Sequence, residues 1–230
     1  MTISDGGTAS GNGTARPDGA EPRPAAVSVI TTEHFTLQGA RSSTIAESTG
    51  RASMFLSAIS GGLVALGLVA TATRVGTAFY VLGLIVLPTL AFVGLVTADR
   101  TLQSGLEDLG YARRIAVLRG YYFDAAPEVA PYLMSVPHAE RLRVEGLRGG
   151  VWQGTLTVSG MVSVVTAVLT GSTVGLAVVL LSGHVLAAAV GAGVVTGIAA
   201  LAALMWYQRR AWHRALAQPL IIGEDAVGPQ

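Results

Sequence analysis

Residues 151–207 read VWQGTLTVSGMVSVVTAVLTGSTVGLAVVLLSGHVLAAAVGAGVVTGIAALAALMWY and decide the fold class of this chain. The stretch contains no Asp, Glu, Arg or Lys, and its single histidine is His184. A helix needs about 20 consecutive apolar residues to cross the hydrocarbon core of a bilayer. Because so long an uncharged run is not expected in a soluble domain, the sequence predicts an integral membrane protein.

The composition of all 230 residues leads to the same class. Hydrophobic side chains make up 51% of the chain and charged side chains only 13%, whereas about a quarter of the residues of soluble proteins are charged. The net charge of +1 argues against a broad basic surface, so we expect no nucleic-acid partner. The chain has no cysteine, which excludes disulfides and thiolate chemistry.

Two further spans precede the opening stretch. Residues 53–72 and 77–98 are uncharged and long enough to cross a bilayer. Only four residues, including Arg74, separate them, so we predict an antiparallel hairpin. Pro88 lies inside the second span and is expected to kink it.

The distribution of charge decides how residues 151–207 divide. All 15 basic residues are Arg, and two spans in this stretch place 14 of them on one side of the membrane, with Arg74 on the other. The positive-inside rule therefore favours two spans, near 152–170 and 185–207, with an outer turn region at 171–175 and 182–184. We predict a multi-pass protein of the cytoplasmic (inner) membrane with both termini in the cytoplasm.

The predicted fold is all-α, with four transmembrane helices in two antiparallel hairpins and a small helical cytosolic insert. The predicted segments are a disordered tail (1–30), a juxtamembrane segment (31–52), hairpin 1 (53–98), the insert (99–150), hairpin 2 (151–208) and a cytosolic tail (209–230). In the juxtamembrane segment Leu37, Arg41 and Ile45 share one face, but the periodicity is weak and we expect helix only from about Ser43.

Within the insert, apolar residues from Leu102 to Tyr122 follow helical spacing and predict an amphipathic helix that leaves the membrane. A second start signal follows at Asp124, and residues 137–147 are expected to form a last helix. Arg114 and Arg119 flank the amphipathic stripe, while Arg113 lies on the far side of the helix. All three are candidate contacts for lipid headgroups or an acidic partner, the alternatives being an ordinary solvated face and a specific anionic ligand.

Small residues recur at helical spacing in three of the spans and predict close helix packing. They are Ser57, Gly61 and Ala65 in the first span, Ser159, Ser163, Ala167 and Gly171 in the third, and Ala189, Gly193 and Gly197 in the fourth. For the first span we favour packing within the chain over a seam between two copies. Four aromatic residues at predicted cytoplasmic ends are expected to anchor the spans at the interface: Trp152, Trp206, Tyr207 and Trp212.

The sequence contains no recognisable chemical apparatus. None of the four predicted spans carries an ionisable residue of the kind that marks proton relays or coupled transport. The four histidines have no metal-binding spacing, and His184 is expected to be a solvated turn residue. No phosphate-binding loop, dinucleotide fingerprint or hydrolase motif is present. We therefore predict no catalytic residue, no metal and no cofactor.

Three sequence runs carry a resemblance. The octapeptide TIAESTGR (44–51), the Ser/Gly/Leu/Val-rich stretch 57–66 and the tetrapeptide RGYY (119–122) resemble uncharacterised actinobacterial integral membrane proteins over about residues 32–214. This resemblance implies four spans and no particular activity. More distantly, the first hairpin and the helix after it are similar to two-helix membrane effectors of bacterial defence systems. The chain departs from those effectors by two further spans and by the lack of a sensor.

The leading functional prediction is a non-enzymatic membrane protein with a structural or interaction role, in which the cytosolic insert contacts an unknown cytosolic protein. One alternative is an oligomeric pore or membrane-perturbing effector, favoured by the small-residue stripes and the uncharged spans. The other is a facilitator of small apolar solutes. The expected partners are therefore membrane lipids, a cytosolic protein and, as a further option, other copies of the chain.

Overall fold

A computed structural model describes residues 24–125, 157–183 and 185–218 of the chain. These residues form four helices, α1 (Pro24–Thr73), α2 (Thr77–Ala125), α3 (Val158–Leu181) and α4 (Leu186–Ala217). Each helix is long and apolar enough to cross a membrane. The prediction of an all-α membrane protein with four spanning helices is confirmed. The predicted restart after Asp124, the helix at 137–147 and Trp152 lie outside the described residues.

The four helices form an up-and-down row in which each packs mainly on its neighbour in the sequence. Residues in the first half of α1 contact residues in the second half of α2, as the Arg41–Asp108 ion pair shows. Between α2 and α3 the Ser159 hydroxyl donates to the Ala98 carbonyl, and between α3 and α4 Gln208 reaches Ser163. All neighbours are therefore antiparallel, with α1 and α4 at the edges of the row.

Helix α1 begins at Pro24, so the prediction of a disordered segment up to residue 30 is wrong for residues 24–30, and helix begins long before Ser43. Leu37 is buried, but Ile45, which shares its face by spacing, is 51% exposed. The buried face instead includes Thr44. Packing against a partner helix explains why a segment with weak periodicity is helical, because most helical stability in proteins comes from tertiary contacts.

Helix α2 continues through Pro88 and through Asp99 without interruption as far as Ala125. The predicted boundary at residue 98 is therefore not a helix end. Leu102 and Ile115 are buried, so the amphipathic stripe beyond the span packs against the extension of α1. The same helix thus serves as a span and as the first helix of the predicted insert.

The second hairpin differs from its predicted boundaries. Helix α3 starts after Thr157, whose hydroxyl accepts a hydrogen bond from the Gly160 N–H at 3.0 Å as an N-cap. The helix then continues through 171–175, where we predicted a turn, and ends at Leu181. In lipid, glycine does not break a helix when a neighbouring backbone packs closely against it.

The turn between α1 and α2 is short and strained. Arg74 and Val75 both have positive φ angles, which are unfavourable for residues with a Cβ and most of all for a β-branched one. The Val75 N–H donates to the Ala70 carbonyl at 3.0 Å, a bond that spans the end of α1 in the manner of a Schellman cap. This bond satisfies a carbonyl at the helix end and fixes the reversal of the chain.

The packed centre of the molecule lies where α1, α2 and α3 meet. Phe55 of α1 and Thr166 of α3 are fully buried, and both lie against Gly94 of α2. A Cβ at Gly94 would lie 2.7 Å from the Phe55 ring, so the contact requires glycine. The close approach of Phe55 and Thr166 to α2 at this point therefore depends on the absence of a side chain at Gly94.

Candidate functional site

Two surfaces of the molecule are candidates for function, and the first is a helical stalk. We define the stalk as residues 24–52 of α1 and 99–125 of α2, the parts of these helices beyond the uncharged spans. At 1.5 Å per residue each part is about 40 Å long. The two parts lie side by side, so the hairpin is about two and a half times as long as a bilayer crossing needs.

Polar and aromatic contacts hold the stalk helices together. The Arg41 guanidinium donates from Nε to the Asp108 carboxylate at 2.6 Å, and both side chains are partly buried. Nearer the tip, the hydroxyls of Thr31 and Tyr122 lie 3.4 Å apart. The Tyr122 ring also packs edge-on against His34, with 6.2 Å between the ring centroids. The stalk is thus paired along its length.

His34 has an unusual environment near the tip. Its Nε2 lies 2.8 Å from the Gln38 amide nitrogen, while its Nδ1 is buried and has no hydrogen-bond partner among the described residues. Burial, and secondly the nearby Arg119 guanidinium, lower the pKa of His34. The ring is therefore neutral at pH 7, and protonation would place an uncompensated charge beside an arginine.

The end of α4 packs against the base of the stalk. Arg113 of α2 donates from Nη1 to the carbonyls of Ala215 and Gln218, both at 3.2 Å. These carbonyls belong to the last turn of α4 and the residue after it, where a helix lacks internal donors and favours a cation. Arg113 therefore caps the end of α4, and its contact with lipid or a partner stays a prediction.

The other predicted contacts near this base have mixed outcomes. Trp212 lies 3.5 Å from the position that a Cβ would occupy at Gly105, so this tryptophan packs on α2. The exposed Tyr207 donates from its hydroxyl to the Asp99 carboxylate at 3.0 Å. Trp206 is exposed and stacks with Arg210. Of the remaining arginines, Arg114 is exposed and Arg119 is half-buried.

A buried polar cluster joins three helices just below the stalk. The Gln208 amide of α4 donates to the Ser163 hydroxyl at 2.6 Å and to the Ser159 carbonyl at 3.3 Å. The Ser159 hydroxyl in turn donates to the Ala98 carbonyl of α2 at 3.0 Å. In a membrane such bonds hold helices together because there is little water to replace them.

Glycines bring the backbones of α3 and α4 together toward the turn side of the membrane, meaning the side that holds the two short turns. A Cβ at Gly171 would lie 2.5 Å from the Gly193 carbonyl, and one at Gly193 would lie 2.9 Å from the Gly171 carbonyl. Gly197 and the buried Ala189 lie in the same seam. The small residues of α3 and α4 therefore form a contact that larger side chains would prevent.

The small residues of α1 do not pack in this way. Ser57, Gly61 and Ala65 are exposed, and no described atom lies within 4 Å of the position of a Cβ at Gly61. Our expectation that this stripe packs within the chain is not met among the described residues. The physical reason is that α1 uses the opposite face, with Phe55 and Leu66, to contact α2.

The second candidate surface is an apolar groove of about 620 Å³ on the turn side. We define the groove as the space between α2 and α4 that has α3 as its floor and Leu66 of α1 at its edge. Ser172 is the one polar side chain among its lining residues, and none of them is charged. The lining includes Leu87, Val168, Ser172, Val190, Val194 and Ile198.

Within residues 24–125, 157–183 and 185–218, no three His, Cys, Asp or Glu side chains lie close enough together to hold a metal ion. Comparison with protein-family models, with curated proteins and with solved structures finds no significant match. The resemblance to actinobacterial membrane proteins therefore stays a prediction, and function must be argued from the stalk and the groove.

Sequence reasoning missed three of these features. The Arg113 cap and the Arg41–Asp108 pair join residues far apart in the chain, and no local spacing reports such contacts. Arg41 did carry a signal, because it interrupts the apolar face of α1 with a charge that needs a partner. The groove left no signal, since its lining residues have the same composition as any lipid-facing surface.

Proposed function

We propose that this chain is a non-enzymatic membrane protein that presents its stalk in the cytoplasm as an interaction element for another protein. The observation that carries the proposal is the continuity of α1 and α2 from their spans into the paired stalk. A surface that is rigidly joined to a membrane anchor loses little conformational entropy on binding, which favours recognition. The cytoplasmic placement is supported by the 14 arginines that the hairpins place on the stalk side.

The base of the stalk supports the same role. The Tyr207–Asp99 hydrogen bond, Trp212 and Arg113 attach α4 to α2 along the half of the stalk nearer the membrane. This third helix stiffens that half and leaves the outer half as an uncovered two-helix surface among the described residues. Arg114, level with the end of α4, and Val117, one turn farther out, are exposed and provide a positive and an apolar contact for a partner.

Site-specific photocrosslinking in cells tests the proposal. A photoreactive amino acid at Val117, on the stalk, is expected to give a discrete protein adduct, and Arg114→Glu should reduce its yield about tenfold if an acidic surface is bound. The matched control is the same photoreactive residue at Val195, an exposed valine of the fourth span. Adducts with lipid alone, or with a second copy of the chain alone, would contradict a protein partner at the stalk.

One observation favours a second candidate function, an oligomeric pore or membrane-perturbing effector. The Ser57, Gly61 and Ala65 stripe faces outward on the edge helix α1, where another copy would have access to it. A pore of this kind predicts leakage of dye from liposomes that contain the purified protein. Gly61→Leu should abolish the leakage without unfolding the protein, and liposomes that remain sealed would count against the pore.

A further inference from the structure

The groove has a defined extent and a defined cause. Along α4 it runs from Leu186, beside the turn, to Leu201, which corresponds to about 22 Å of helix. The glycine seam pulls α3 and α4 together, whereas α2 and α4 share few contacts and stay apart. Val168 and Val194 project into the space between α2 and α4, and both remain exposed.

We propose that the groove binds one hydrocarbon chain of a bilayer phospholipid from the leaflet on the turn side. The lining of the groove is almost entirely apolar. A ligand with a polar group along its length would find only Ser172 as a partner and would lose several hydrogen bonds with water. A hydrocarbon chain has no such groups, and the groove opens sideways toward the membrane core, where these chains are the solvent.

The size of the groove also suits a single lipid chain. The groove has about 620 Å³, which lies within the range of roughly 300–1,000 Å³ for small-ligand sites. One leaflet contributes about half of the hydrocarbon core, or about 15 Å. The groove is about 22 Å long and can therefore hold a lipid chain over its full length.

A positive charge on the membrane side where the groove begins selects a phospholipid as the source of the chain. Arg74 is exposed in the turn between α1 and α2, on the side of the membrane where the groove begins. A phospholipid whose tail occupies the groove has its phosphate at that membrane surface. The arginine therefore offers a charge that matches an anionic headgroup.

The test uses the full chain in vesicles of phosphatidylglycerol and phosphatidylethanolamine that contain a phosphatidylglycerol with a photoreactive group near the end of one chain. Crosslinks located by peptide mass spectrometry are expected at groove residues such as Val168. Val194→Trp fills the groove and should lower this labelling about tenfold. Val195→Trp is the matched control, because Val195 is the next residue, is 68% exposed and lies outside the groove.

Further controls keep each outcome informative. Both tryptophan variants should elute as single species in size-exclusion chromatography, and Val168→Trp provides a second blocking variant from α3 if Val194→Trp fails to fold. Unlabelled phosphatidylglycerol should compete with the probe, and Arg74→Gln should weaken that competition.

Three results would overturn the proposal. Equal labelling of the Val194→Trp and Val195→Trp variants would mean that lipid contacts the surface without a site. Competition by free fatty acid as strong as by phosphatidylglycerol would exclude a phospholipid as the source. A Val194→Trp variant that changes the oligomeric state and leaves lipid labelling intact would assign the groove to a second copy.

Discussion

The α1–α2 hairpin is held by side chains, whereas the α3–α4 hairpin is held on the turn side of the membrane by direct backbone contact. In the first, Phe55 fills the space beside Gly94 and the Arg41–Asp108 pair joins the stalk. In the second, Gly171 and Gly193 remove the side chains and let the two backbones touch. Side-chain packing tolerates a long hairpin that leaves the membrane, while backbone packing requires small residues at fixed positions and suits a helix pair confined to it.

The largest expected effect is on the glycine seam. Gly171→Leu should destabilise the protein by about 3 kcal/mol, because a side chain there meets the Gly193 carbonyl and forces α3 and α4 apart. Gly61→Leu, on the open face of α1, should change stability by less than about 0.5 kcal/mol. Thermal unfolding of the two variants in detergent measures the difference. Equal losses would mean that the two hairpins do not differ in the way described.

A smaller effect is expected at the polar cluster, where the Gln208 side chain joins α4 to α3 at the stalk end of the second hairpin. Gln208→Ala removes the hydrogen bonds to Ser163 and Ser159 and should cost about 1 kcal/mol. The matched control is Gln103→Ala, since Gln103 is exposed and bonds only within its own helix. The same thermal assay compares them, and a larger loss for the control would refute a stabilising role for the cluster.

The stalk should respond still less to the loss of its ion pair. Arg41→Ala should cost about 0.5 kcal/mol, because the pair is partly open to solvent. Spin labels on cysteines introduced at Ser28 and Gly120 report the separation of the stalk helices, and the chain has no other cysteine to label. The variant should broaden the distance distribution, and the charge exchange R41D/D108R should narrow it again. An unchanged distribution would show that the apolar contacts alone hold the stalk.

The smallest expected effect is a dependence of the stalk tip on pH. The folded-state pKa of His34 is lowered, so the unfolded chain binds more protons as pH falls below the ordinary histidine value of about 6.5. His34 therefore leaves the free energy of unfolding unchanged above that pH, and it lowers this free energy as the pH falls below that value. The same labels should show broader distances in acid, and His34→Gln should remove the change. An identical pH response in that variant would assign the effect to another group.

Much of the fold could be predicted from sequence, because hydrophobic length and arginine position are strong local signals. The four spans and their pairing follow from these two quantities alone. The position of the second turn could not be predicted in this way. Glycines such as those in residues 171–175 indicate a turn in a soluble protein, but in a membrane they allow close contact between helices. Local composition cannot distinguish these two environments.

The surfaces were harder to predict, since they depend on which helix faces which. The periodicity around Leu37 indicates a helix face but not its partner, and Ile45 turned out to be exposed. Arg113 has the sequence context of a solvated arginine, yet it binds carbonyls about a hundred residues away. Such contacts depend on how α2 and α4 pack together, and no local stretch of the sequence specifies that packing.

The contact between Arg113 and the end of α4 also sets an order of assembly. A chain synthesised from its N-terminus completes α2 long before residues 215–218 are made. The Arg113 guanidinium can therefore donate to the Ala215 and Gln218 carbonyls only after the last helix has been inserted. The first hairpin can enter the membrane early, but its base is fixed only when the end of α4 arrives. The full set of contacts at the stalk therefore forms only once the second hairpin is complete.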